Sequence, residues 1–146
     1  MIYKLVLDID PTDGVVSAWS SDASQGLLTT MADTMDEALA NIRMLIDDSI
    51  EHYWHKLPEW EGITSADVQF EFEYSLSSFF EAFKALKINE IARLAKLNPA
   101  LVRAYANGDK NASLTQIEKI QEAVSRLAQS LLSVRVVPKM MRPLAA

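Results

Sequence analysis

The 146-residue sequence contains no cysteine. That excludes disulfides and thiolate-held metals and leaves a cytoplasmic setting as the default expectation. It has no apolar run approaching the roughly 20 residues of a membrane-spanning helix, so no membrane partner is expected. The opening residues, Met1 to Asp8, lack the charged start, long apolar stretch and small-residue cleavage site of a secretory signal. No glycine-rich phosphate loop, nucleophile motif or zinc-spaced ligand set occurs. The expectation is therefore a protein with no catalytic residue, no metal and no cofactor.

Basic residues are scarce in one half only. Residues 1–76 hold three of them (Lys4, Arg43, Lys56) against fifteen acidic residues, a net charge of −12. Residues 77–146 hold eleven basic against five acidic residues, a net charge of +6, and the two halves together return −6. Such asymmetry points to two modules with different partners. The apolar content, 49%, is ample for buried cores.

The acidic half reads as β-β-β-α-β. Ile2–Asp10 is rich in β-formers, Asp10-Pro-Thr-Asp-Gly14 is a turn, and Val15–Ser20 returns as the second strand of a hairpin. After a polar loop at residues 21–26, Leu27–Met31 is a short third strand. Thr34 with Glu37 forms a capping box, opening a helix through Ala38, Ile42, Leu45, Ile46 and Ile50 that ends near Tyr53. His52–Gly62 is irregular and aromatic. Asp67–Tyr74 alternates cleanly, with Val68, Phe70, Phe72 and Tyr74 on one face and acidic residues on the other.

Two constellations here bear on chemistry. Asp8 and Asp10, with Asp13 and Asp22 close in sequence, are the residue types of a two-metal nuclease; hairpin ends select Asp anyway, and that reading is preferred. His52 and His55 share a helical spacing suited to a metal, but no third ligand stands nearby, and they are read as ordinary surface or interfacial histidines.

The basic half reads as all-α. Ser78 with Glu81 forms a capping box for a helix carrying Phe79, Phe80, Phe83 and Leu86, and the boundary between modules is placed there, at 76/77, with a very short linker. Ile88–Gly108 is two short helices around a tight turn: Ile91, Ala92 and Ala95 form one apolar stripe, Leu101, Val102 and Tyr105 another. Asn98 is a good N-cap with Pro99 at the first helical position, and Gly108 stands where a helix stops. This is the recipe of a helix-turn-helix, although any helical hairpin shares its elements. Ser113 and Gln116 cap a long amphipathic helix through Leu132. Ser133–Val137 is β-like and suited to pairing across a dimer, and residues 138–146 are a tail.

The spacing Ile91-Ala92, Leu97, Asn98, Val102 and Gly108 resembles the lambda-repressor/Cro-like helix-turn-helix family, with Lys96 replacing the usual turn Gly and Ala106 an acidic residue. Asp33-Thr34 and Glu37-Ala38 resemble the Gly-Asp-Thr-x-x-Glu-Ala pattern of the HicB family of antitoxins. Ala32 stands in place of that pattern's Gly, and residues 21–26 replace the family's Pro-Asp-Leu-Pro-Gly-like segment. The resemblance implies a partial, catalytically inert RNase H-like domain over 1–76 and a DNA-binding domain over 77–137. It also implies neutralisation of a small basic mRNA-cleaving toxin and autorepression at an operator.

A recognition helix over Asn98–Asn107 would present Pro99, Ala100, Arg103 and Asn107 to the major groove. Arg103 is the candidate for a guanine edge. Asn89, Asn98 and Lys110 are placed for phosphates, with Arg93 and Lys96 adding to the field. A homodimer or higher even oligomer on an inverted repeat is expected. The competing reading is a transcriptional regulator whose first half senses a ligand or another protein.

Overall fold

The computed structural model describes residues 1–22, 24 and 26–139. The fold is α+β, a four-stranded mixed sheet and five helices. Strands β1 (Ile2–Ile9), β2 (Val16–Ser20) and β3 (Thr29–Ala32) pair antiparallel in sequence. Helix α1 (Met35–His52) then carries the chain to β4 (Gln69–Tyr74), which lies parallel to β1 at the opposite edge from β3. The β1–β2 turn closes through Gly14 N–H donating to the Asp10 carbonyl (2.8 Å), with Gly14 at φ +75°; that conformation favours glycine.

Alternation along the strands sends Tyr3, Leu5, Leu7, Val16 and Ala18 to one face, where Ala38, Ile42 and Ile46 of α1 cover them. Trp60 and Val68 complete this core. The irregular stretch after α1 is an aromatic lid. Trp60 stacks on Trp54 with ring centroids 4.7 Å apart and lies 6.2 Å from Tyr3. Gly26 lies so close to Trp54 that a Cβ there would stand 2.1 Å from the indole ring.

Helix α1 also pins the chain ahead of β4. Arg43 donates to the Ser65 and Val68 carbonyls and lies over Phe70, while Asp47 one turn later accepts from Ser65 N–H (2.9 Å) and Oγ (2.6 Å). The Ser65 side-chain bond, reinforced by its backbone N–H, holds the Asp47 carboxyl below its usual range. A carboxyl whose folded-state pKa is depressed contributes stability above its unfolded value, which disappears as pH falls through the folded value. Asp47→Asn is therefore expected to lower the melting temperature at pH 7 and to lose less stability than the parent on acidification below about pH 4. Parallel acid-limb slopes in thermal melts of the two proteins would contradict this pinning.

The second buried cluster belongs to α2 (Leu76–Ala82), α3 (Ile88–Leu94), α4 (Pro99–Ala106) and α5 (Leu114–Leu132). Phe80, Ile91, Ala92, Ala95, Val102, Tyr105, Ile120 and Ala123 fill it. Ser113 and Gln116 make the reciprocal capping box of α5, and Tyr105 Oη donates to Gln116. The α3–α4 turn contains Lys96 at φ +58°, the one described non-glycine residue with positive φ. The left-handed conformation costs an L-residue roughly 1 kcal/mol, so Lys96→Gly is expected to raise the melting temperature by about 2–4 °C. A lowered value in calorimetry would contradict that.

Several local expectations need correction. Helix α2 starts earlier than Ser78: Ser75 is its N-cap, accepting from Ser78 N–H, and Ser78 is buried inside the helix. Ser78 Oγ instead donates to Asp8 (3.0 Å) and accepts from Ile9 N–H (3.1 Å), fastening α2 to the end of β1. The Glu37 carboxylate reaches Asp33 N–H rather than closing a reciprocal box with Thr34. Strand β3 begins at Thr29 because Leu28 is held by Ser20. Strand β4 begins at Gln69 because Thr64 and Asp67 cap a 3₁₀ turn over Ser65–Asp67. Residues 133–137 form no strand within the described residues, and residues 140–146 of the expected tail lie outside them.

Candidate nucleic-acid interface

Helices α3 and α4 meet through their buried stripes, which leaves a defined outer surface. Asn98 is the N-cap of α4: its side-chain oxygen accepts from Ala100 N–H (2.8 Å), and Pro99 occupies the first turn, where a missing N–H costs nothing. With Val102 and Tyr105 inward, helical periodicity brings Pro99, Ala100, Arg103 and Asn107 onto one exposed stripe. Asn107 is the C-cap, a turn beyond Arg103, and Lys110 lies exposed just past the end. Asn89, on the exposed side of α3, accepts a hydrogen bond from the Arg103 guanidinium. The structure thus joins two of the sequence-derived positions, Asn89 and Arg103, in one contact.

That contact matters electrostatically. An arginine aimed by a carboxylate would be largely neutralised; Asn89 orients the guanidinium while leaving its full charge. Among the described residues no carboxylate lies within ion-pair distance of Lys87, Lys96, Arg103 or Lys110. Arg93, expected to add to the field, is instead paired with Glu90 through two bonds of 2.8 and 3.0 Å. The three-residue spacing of Glu90 and Arg93 on a helix signals that pairing. Lys87, the N-cap of α3, is a further exposed cation two residues before Asn89 that was not singled out from the sequence.

The other half offers a different surface. The sheet face away from α1 carries Ile2, Lys4, Val6, Trp19 and Met31, with Glu71 and Glu73 on the same side by register and Asp8 at its end held by Ser78 of α2. Trp19 and Met31 are 38% and 69% exposed. Trp19 and Met31 therefore stand exposed on a face that α1 does not cover, near Glu71 and Glu73.

The carboxylates considered for a nuclease are not brought together. Asp10, Asp13 and Asp22 accept from backbone N–H groups two residues on, as Asp does in turns, and Asp8 holds Ser78. His52 and His55 diverge: His52 reaches Asp48 at 3.3 Å from the last turn of α1, while His55 Nδ1 lies 3.0 Å from the Ile50 carbonyl. Asp48, Glu51 and His52 form the one trio of potential ligands among the described residues, fully on the surface. Among the same residues no helix is long and apolar enough to cross a membrane. Comparison with protein-family models, with curated proteins and with solved structures returned no match.

Proposed function

We propose that the chain is a DNA-binding antitoxin of the HicB type. In this reading α3, the turn through Lys96 and α4 form a helix-turn-helix that reads operator DNA as part of an even oligomer, and the chain represses its own operon. Residues 1–76 form a partial RNase H-like domain without catalytic function that neutralises a small basic RNA-cleaving toxin. The protein acts in the cytoplasm and needs no cofactor.

The observation that carries this reading is the Arg103 stripe. Arg103 is exposed, directed by the neutral Asn89 and, among the described residues, without a carboxylate partner, on the half of the chain with net charge +6. A guanidinium so held can bond guanine O6 and N7 together, while the lysines around it contact phosphates. The half with net charge −12 and its open face of Trp19 and Met31 suit the positive surface that an RNA-cleaving partner requires. That contrast favours two macromolecular partners over a small-molecule sensor.

Co-expression of the intact chain with the small basic product of an adjacent reading frame tests the partner half. Growth arrest caused by that product is expected to be relieved, with the two proteins co-purifying. Continued arrest without complex formation would contradict it.

A further inference from the structure

A groove beside the open sheet face shares Glu71 and Glu73 with it. It has a volume of about 600 Å³ and runs between β4 and α5, floored by Tyr74, Phe79 and Phe83. Four consecutive residues of β4, Glu71 to Tyr74, line it. Consecutive strand residues point to opposite faces, so the groove follows the open edge of the strand rather than one face of the sheet. Among the described residues, strand β4 is paired only with β1. The opposite wall is a helical stripe of α5, Ile117, Ile120, Gln121 and Val124. An unpaired strand edge facing apolar side chains is a receptor for one more strand.

The same chain carries a segment of that chemistry. Val134-Arg135-Val136-Val137 follows α5 as irregular chain, and Val134 and Val136 are 61% and 90% exposed. Leu132 beside it is 89% exposed. Alternation would place Val134 and Val136 toward Phe72 and Tyr74, and Arg135 on the side of Glu71 and Glu73. Four extended residues span about 13 Å, as does the Glu71–Tyr74 edge.

The segment leaves α5 eight residues beyond Val124, about 12 Å past the groove wall at the helical rise. For residues 134–137 to lie in the groove of their own chain, Ser133 alone would have to cover that return, and one extended residue spans at most about 3.6 Å. A second copy has no such restriction.

We propose that residues 134–137 of one chain add as a fifth strand to the β4 edge of a second copy, filling the groove between β4 and α5. Reciprocal exchange closes a two-fold dimer in which both arms and both grooves are used, with no end left open. It supplies a contact for the even oligomer of the proposed function, but stands on the groove and arm alone.

The absence of cysteine makes the test direct. The intact chain is expected to sediment at twice its 16.3 kDa mass. Val136→Asp should raise the dimer dissociation constant about tenfold or more. Arg135→Glu should weaken the dimer too, and Glu73→Arg added to it should restore much of the loss. Phe72→Cys and Val134→Cys chains, mixed and oxidised, should give a crosslinked heterodimer. Crosslinking of Val134→Cys to itself alone would overturn the groove in favour of arm-to-arm pairing. A disulfide within single chains carrying both substitutions would overturn the exchange between copies. A monomeric parent protein, or full dimerisation of Val136→Asp, would overturn the proposal altogether. None of these readouts involves DNA or a toxin: failure of the crosslink or of Val136→Asp leaves the proposed function standing, a monomeric parent would also remove its even oligomer, and loss of DNA binding leaves the arm standing.

Discussion

Arg103→Ala is expected to weaken binding to the cognate operator by about 10- to 100-fold, the range for losing a bidentate base contact. The substitution should leave the fold intact, because Arg103 is exposed and, among the described residues, its side chain bonds only to Asn89 at the surface. Arg103→Lys separates charge from geometry. An ammonium keeps the charge but cannot form the fork, so binding to unrelated DNA should persist while preference for the operator falls. Asn89→Ala should have a smaller effect in the same direction, since it leaves the guanidinium present but unaimed. Fluorescence anisotropy on operator and scrambled duplexes at one fixed salt concentration distinguishes these outcomes; operator affinity unchanged in Arg103→Ala would remove α4 as the reading helix.

Trp60→Ala should have the largest effect on stability, about 3–5 kcal/mol. A small domain holds only about 5–15 kcal/mol in total, so the sheet half would be largely lost at moderate temperature. Trp60 is 1% exposed and supports both Trp54 and Tyr3. Its substitution therefore opens a cavity beneath the lid and removes the surface on which Trp54 lies against Gly26. Trp60→Phe should cost far less than Trp60→Ala. The indole Nε1 is buried without a hydrogen-bond partner among the described residues, so phenylalanine forfeits no such bond. Urea unfolding followed by circular dichroism reads both variants, and a midpoint for Trp60→Ala close to the parent would contradict the lid as a core element.

Local chemistry was the legible part of this sequence. The Asp10–Gly14 turn, the Thr34, Asn98 and Ser113 caps, and the buried stripes of α3 and α4 follow from residue type and spacing over a few positions. The start of α2 did not, because Ser75 and Ser78 are equally good caps in isolation. A contact 70 residues away, Ser78 to Asp8, decides between them. The parallel pairing of β1 with β4 is non-local in the same way, as is the role of the aromatic stretch after α1, whose side chains have no periodicity until Tyr3 and Gly26 are beneath them. Residues 133–137 have strand-forming composition without a strand in the single chain. A strand needs an edge to pair with, and composition alone does not say where that edge is.

At the α3–α4 surface, exposure of Pro99, Ala100, Arg103 and Asn107 was readable from helical period. The bond between Asn89 and Arg103 was not, because it depends on how α3 crosses α4. Lys96 was legible as a substitution for glycine, and its positive φ shows that the turn keeps the conformation a glycine would adopt.

The most direct test of the central claim is selection of binding sites by the intact protein from a pool of random duplex DNA at physiological salt. Expected is enrichment of an inverted repeat with half-site centres about 34 Å apart, guanine at the position read by Arg103, and affinity that falls steeply as salt rises. Recovery of no preferred sequence, or of the same sequence with equal affinity by Arg103→Ala, would contradict it.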